Sequence, residues 1–238
     1  MRDFVICLTA TIKPNTIMVD RSDVQLRLYD YKKCIDFYLR ETNCTIIFAE
    51  NSDFDLSKDV DFDRFLENPR FSVQRFMAHP DTTKGKGFQE FFMLDQVVEN
   101  LPETATLVKI TGRYTVRNIS RMLSGIDAPL TIDLHRKMQV AITGFFAVSV
   151  PVYRKYFTGI FAEANDSEGR FIEHVVYDKI EHSDLIRSCA LLPENARYEG
   201  VSGSHGGSLA RNKYKMLARS LERSINRSLG IRKFLIEY

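Results

Sequence analysis

A carboxylate at the start of a helix, cations at the end of a strand and a glycine-dense loop are the parts of this 238-residue chain that can do chemistry. Phe171-Ile172-Glu173-His174 opens a helical stretch, so Glu173 sits where a helix N-terminus steadies an anion, which is also an ordinary place for an acid. Lys109-Ile-Thr-Gly-Arg-Tyr114 closes an apolar run with two cations, and Arg113 brings a planar fork of donors. Ser202-Gly-Ser-His205-Gly-Gly-Ser208 leaves backbone N–H groups open to a phosphate, with Arg211 and Lys213 just beyond, although a flexible connector has the same composition. Asp53-Phe54-Asp55 has the spelling of a two-carboxylate metal clamp. It lies in an acidic run (Asp53, Asp55, Asp59, Asp61, Asp63) that reads as a solvated loop. Cys7, Cys34, Cys44 and Cys189 show no metal-ligand spacing and read as buried free thiols. His79, His135, His174 and His182 read as loop, turn or capping residues.

These groups need elements to hold them. Phe4–Ala10 is a continuous apolar, β-branched run, the pattern of a strand buried on both faces. A helical period follows in Val24, Leu28, Tyr31, Ile35, Tyr38 and Leu39, with Ser22 or Asp23 able to cap it. Thr45–Ala49 is a second buried strand, and strand–helix–strand in the first fifty residues is the unit from which parallel sheets are built. Further strands are expected at Phe71–Phe76 and Thr106–Ile110, with helices at Phe88–Asn100, Asn118–Leu123, Pro151–Tyr156 and Phe171–Glu181. Residues 130–150 read as two strands, Leu130–Leu134 and Gln139–Val150. Asp184–Leu192 fits strand or helix equally.

Tyr214–Leu229 reads as an amphipathic helix. Tyr214, Leu217, Leu221, Ile225 and Leu229 form one stripe, and Arg211, Lys215, Arg219, Arg223 and Arg227 form another. The apolar stripe is expected to pack on the domain, and the basic one to meet solvent or anionic lipid. Residues 209–238 hold eight Lys/Arg against two Asp/Glu, a net of +6 in a chain of net +2, so the remainder carries −4. That balance argues against general nucleic-acid binding. The opening residues lack the pattern of a secretory signal, and with free thiols a cytoplasmic location is expected.

Four places together resemble nucleotide-sugar glycosyltransferases of the GT-A type, and small bacterial enzymes of capsule or O-antigen assembly in particular. They are Asp30-Tyr31 after the first strand, Glu50-Asn51-Ser52 after the second, Lys84-Gly-Lys-Gly-Phe-Gln-Glu90 before a helix, and Lys109–Tyr114. The resemblance implies an α/β fold with a mixed, mostly parallel central sheet flanked by helices and a C-terminal amphipathic helix. Residues 1–208 would form the catalytic domain, with a nucleotide-binding half to about residue 115 and an acceptor half from 116 to 208.

It further implies transfer of a hexose from a nucleotide sugar, UDP-linked by default, to a surface or lipid-linked glycan. Thr9, Ala10, Glu50, Asn51, Lys84 and Gly85 would contact the nucleotide sugar. Lys109, Arg113, His205 and Arg211 would face its diphosphate. Glu173 would be the base, with Asp133 and Glu163 as weaker candidates. The family's Asp-x-Asp metal motif is missing: its expected position carries Lys109 and Arg113, so a metal-independent reaction with no tightly bound cofactor is expected. The alternative is a non-catalytic module of the same fold that recruits assembly partners.

Overall fold

The computed structural model describes residues 3–15 and 22–200, together with residues 220, 221, 223 and 225 of the C-terminal segment. The chain begins β1 (Asp3–Ala10), α1 (Val24–Glu41), β2 (Thr45–Glu50), α2 (Val60–Leu66), β3 (Phe71–Arg75), α3 (Lys86–Glu99) and β4 (Ala105–Thr111). It continues β5 (Thr115–Val116), α4 (Ile119–Ser124), β6 (Leu130–Thr131), β7 (Leu134–His135), β8 (Val140–Ala141), β9 (Phe145–Ser149) and α5 (Val150–Tyr156). Last come α6 (Ile172–Glu181), β10 (Cys189–Ala190) and β11 (Tyr198–Glu199).

Seven strands form one sheet in the order β10-β6-β9-β4-β1-β2-β3, parallel throughout except for β9. Two short antiparallel ladders, β5 with β11 and β7 with β8, stand outside it. The alternation of each strand splits its side chains between two cores. Val5, Cys7 and Leu107 pack with α3, α5 and α6, while Ile6, Leu8 and Val108 pack with α1 and α2. This matches the strand-helix-strand reading, with both faces of the sheet covered.

Two local expectations change, and the open reading of Asp184–Leu192 resolves. The acidic run is not a plain loop: Leu56–Lys58 is a 3₁₀ turn, and α2 follows because Asp59 caps it and Phe62 and Phe65 are buried. Lys32 bridges Asp59 and Asp61 at 3.0 and 2.8 Å. Residues 130–150 form four short strands, since the chain leaves β6 at Asp133 and turns at Thr143 and Gly144. The stretch after α6 is a 3₁₀ turn, Asp184–Ser188, followed by β10.

Candidate active site

In an open α/β sheet ligands bind beyond the carboxyl ends of the strands, and the polar side chains of this chain collect there in two groups, one per face. On the α1 side, Arg27 and Tyr31 lie one turn apart on a buried face of α1. Arg27 Nε donates to the Thr11 carbonyl at 2.8 Å and Nη2 to the Tyr31 hydroxyl at 3.0 Å. The Thr11 hydroxyl donates to Asn51 Oδ1 at 2.6 Å, and the Asn51 N–H to the Ala10 carbonyl at 3.3 Å. Glu50 is fully buried. Its Oε1 accepts from the N–H groups of Ile12 at 3.0 Å and Ser52 at 2.9 Å, and from the Ser52 hydroxyl. Among the described residues its Oε2 has no hydrogen-bond partner. Burial pushes this carboxyl above its ordinary value, and the Ser52 and Ile12 hydrogen bonds and the Arg75 charge pull it back.

On the α3 side, a chain of polar contacts runs across the ends of β1 and β4. Lys109 does not reach the surface: it is fully buried, and its ammonium donates to Glu90 Oε1 at 2.8 Å, the Thr143 carbonyl at 2.8 Å and the Thr111 hydroxyl at 3.2 Å. An ammonium has three donors, so none is left for a phosphate, and Lys109 leaves the set expected to face the diphosphate. The Thr9 hydroxyl donates to the same Glu90 oxygen at 2.5 Å. The Thr143 hydroxyl donates to Glu173 Oε1 at 3.1 Å, which ties the first turn of α6 into this chain.

The basic glycine turn is occupied from within. Asp166, 3% exposed, accepts from the Lys86 N–H at 3.2 Å, with Gly87 N–H as a second donor, and so closes the N-terminus of α3. Gly85 has φ +95°, and a Cβ there would stand 2.1 Å from Asp166 Oδ2. These glycines admit a carboxylate of the chain itself, so the amides at the start of α3 are taken by Asp166 in the turn whose Lys84 and Gly85 were expected to contact the nucleotide sugar. Lys84 Nζ lies over the Phe88 ring at 5.1 Å.

Arg113 is 7% exposed, and its charge is felt by Arg27 and Cys34, so it lies toward α1. Gly112 between strand and arginine donates to the Thr9 carbonyl at 2.9 Å, an approach that a Cβ, 2.7 Å from that oxygen, would prevent. Burial lowers the Arg27 pKa, the Tyr31 hydroxyl opposes that, and the Arg113 charge adds to the lowering.

No protein-family model matches the chain and no curated relative matches its sequence. Solved structures do match. The galactosyltransferase LgtC, in complex with donor and acceptor sugar analogs, superposes with a TM-score of 0.51 at 8% identity, over 98% of this chain and 84% of that one. An active-site mutant of LgtC gives 0.51 at 8% identity, over 91% and 82%. The bifunctional glycosyltransferase WbbM, as the apo structure, gives 0.50 at 12% identity, over 94% of this chain and 44% of that one. The fold is GT-A-like. At such identities it is the fold that is shared, and the chemistry has to be argued from the site.

On this GT-A-like frame the end of β4 reads Thr111-Gly112-Arg113. Hard divalent cations take oxygen ligands. A segment that brings cations does not fit one, and among the described residues no cluster of three His, Cys, Asp or Glu is placed to hold a metal. Asp53 and Asp55 are separately employed, Asp53 in an exposed pair with Lys13 at 3.1 Å and Asp55 as the cap of the 3₁₀ turn.

Asp133 is no base candidate here. Arg223 grips it in a bidentate pair, 2.7 and 2.8 Å, with both side chains buried, and the Leu192 N–H adds a contact at 3.2 Å. The basic stripe is thus turned inward at Arg223. Leu221 and Ile225 of the apolar stripe are 64% and 50% exposed, the reverse of the expected orientation at these residues. Glu163 is exposed at the end of a 3₁₀ turn. His205 and Arg211 lie outside the described residues.

The sequence reading missed Arg27, Glu90, Thr143, Asp166 and Arg223 as partners in or beside the site. Arg27 had a legible signal, as an arginine four residues before Tyr31 on the helix's apolar face. Gly85 and Gly87 signalled a close approach, though not of what. Asp166 had no local signal, because 80 residues separate it from the amide it caps.

Proposed function

We propose that this chain is a glycosyltransferase that moves a hexose from a nucleotide sugar, UDP-linked by default, to a growing bacterial surface polysaccharide or lipid-linked glycan, without a carboxylate-held metal. The observation that carries the reading is the buried Arg113 just beyond the carboxyl end of β4, on a GT-A-like sheet whose usual two-carboxylate position holds Thr111-Gly112-Arg113. A fixed cation at that edge stabilises charge that grows on a departing diphosphate. Thr9, Ala10, Glu50 and Asn51 frame the nucleotide side. Glu173, held by Thr143, meets the acceptor.

In an inverting transfer the acceptor hydroxyl oxygen bonds to the anomeric carbon as its proton passes to Glu173. The carbon–oxygen bond to the phosphate breaks, and the nucleoside diphosphate leaves with the electron pair. The same reading puts the protein in the cytoplasm, against the inner face of a membrane carrying the acceptor.

The test is thermal melting with nucleoside diphosphates and nucleotide sugars, in EDTA and in Mn²⁺, followed by mass spectrometry of products. Ligand at about a hundred times its Kd stabilises by ~2.7 kcal/mol. A shift that survives EDTA, with Arg113→Ala lowering kcat by about 10²-fold or more, is the expected result. A shift that requires Mn²⁺ overturns the metal-free part. No shift with any nucleotide overturns the transferase and leaves the non-catalytic module.

A further inference from the structure

The turn between β8 and β9 is fastened at three successive residues. The Ile142 N–H donates to the Asp133 carbonyl at 2.8 Å, the Thr143 carbonyl accepts from the Lys109 ammonium at 2.8 Å, and the Gly144 carbonyl accepts from the Thr111 N–H at 3.0 Å. The last two contacts tie the turn to β4 close to its carboxyl end, the edge where ligands of such sheets bind. Thr143 is 4% exposed and β-branched, which restricts its χ1 torsion. Backbone and rotamer together fix where its hydroxyl stands. That hydroxyl donates to Glu173 Oε1 at 3.1 Å, across 30 residues of chain. Glu173 is half-buried, and its neighbour Ile172, the first residue of α6, is buried in the core. Among the described residues Thr143 is the hydrogen-bond partner of the Glu173 carboxylate, so Oε1 is engaged and Oε2 is left open.

We infer that Thr143 is a positioning residue for Glu173: it holds Oε1, so that Oε2 is the oxygen that takes the acceptor's proton. The inference rests on the transfer reading above for the role of Glu173. A carboxylate on a long side chain is an effective base only when one oxygen is held close to its working place. In the first turn of a helix a half-buried carboxylate is already favoured by the positive end of the helix. For stability the Thr143 hydroxyl adds little, since it replaces a hydrogen bond to water. What it adds is direction.

In the step, the acceptor oxygen bonds to the anomeric carbon and its proton passes to Oε2. The nucleoside diphosphate leaves with the electron pair of the broken bond. Behind Thr143, the Lys109–Glu90 pair at 2.8 Å keeps the turn in place without facing the acceptor, because every Lys109 N–H is already engaged.

Two measurements on the full chain test the inference. The first needs no substrate. Followed by ¹³C NMR across the acid range, the Thr143 methyl is expected to show a carboxylate titration step that vanishes in Glu173→Gln. Glu90 shares Lys109 with Thr143, so a step that persists in Glu173→Gln belongs to such a neighbour and overturns the contact, as does the absence of any step. The second reads release of UDP from UDP-glucose and UDP-galactose with water as the acceptor. Thr143→Val keeps the branch and removes the donor. It is expected to lower kcat about 10-fold or more while donor KM changes by less than about twofold, and Thr143→Ser restores most of the rate. In a Glu173→Gln chain, Thr143→Val is expected to have no further effect, which a purely structural role would not give. Wild-type kcat in Thr143→Val, or an equal loss in both backgrounds, overturns the positioning role and leaves the transferase. A methyl that titrates as expected in a chain that releases no UDP leaves the contact standing and overturns the transfer on which its role rests.

Discussion

The Lys109 ammonium has every N–H engaged within the core, so its removal strands Glu90 beside Thr9 alone. Lys109→Met is expected to destabilise the fold by about 2–4 kcal/mol in urea unfolding, less than for a fully enclosed pair because Glu90 keeps some water contact. Lys109→Met with Glu90→Gln is expected to recover at least 1 kcal/mol of that loss, since no lone charge remains. Full additivity of the two changes would show that the ion pair is not what holds the ends of β1 and β4 together.

Asp166 makes the opposite kind of prediction. Its carboxyl holds its proton more tightly in the folded chain than in the unfolded one. The stability that protonation contributes is therefore complete below the ordinary carboxylate range and lost as pH rises through the folded value. Asp166→Asn cannot lose it. Relative to the wild type, its Tm is expected to be nearly unchanged at about pH 3 and to rise by on the order of 2 °C by about pH 7. A variant that melts lower at neutral pH would mean the charge stabilises the cap. The buried thiols take no part in such titrations: burial pushes Cys7 and Cys34 up to about 12, and Cys189 further.

At the scale of elements, the junction of α3 and α6 depends on Gly87 as much as on any side chain. Gly87→Ala places a methyl 2.5 Å from Ile172 Cγ2 and is expected to cost about 1–3 kcal/mol in unfolding, with Ile172→Ala in the same chain recovering part of it. Unchanged stability in Gly87→Ala would show that the two helices separate without strain. How legible these elements were depends on where their signals lie. β1, α1, β2, α3 and β4 announce themselves by apolar period and length, because each buries a long stripe. α2 hid because only Phe62 and Phe65 point inward and its acids suggested a solvated loop, when Asp59 is its cap. Residues 130–150 lacked signal for their breaks, which come from contacts made far along the chain, Asp133 with Arg223 above all. That Glu50, Asn51 and Arg113 stand at or just beyond strand ends was legible, because the apolar runs fix where β2 and β4 stop. Lys109 was misjudged since a strand position does not say which neighbours saturate an ammonium, and its partner Glu90 comes from a helix.

For the whole molecule, charge and apolar surface divide along the chain: −4 over residues 1–208 and +6 over 209–238. The described part of the tail gives up one cation to the interior, where Arg223 neutralises Asp133, and turns Leu221 and Ile225 to solvent. Arg223→Ala leaves a buried carboxylate with little beyond the Leu192 N–H, so it is expected to cost about 3–5 kcal/mol, much of it returned by adding Asp133→Asn. The outward pair bears on the proposed membrane contact. Two exposed aliphatics one turn apart, in a segment that stays basic after Arg223 is withdrawn, suit an anionic lipid surface that takes up apolar side chains and pairs with the remaining cations. The full chain is therefore expected to sediment with vesicles containing anionic lipid and not with neutral ones, and to be released as salt shortens the screening length from about 10 Å at 0.1 M to 3 Å at 1 M. Leu221→Asp with Ile225→Asp should abolish sedimentation without moving Tm, because both side chains are exposed rather than part of the core. Equal sedimentation with neutral vesicles would remove the electrostatic part of the contact. Loss of Tm in the double variant would instead mean that these side chains face a surface of the protein, and the membrane contact would fall with it.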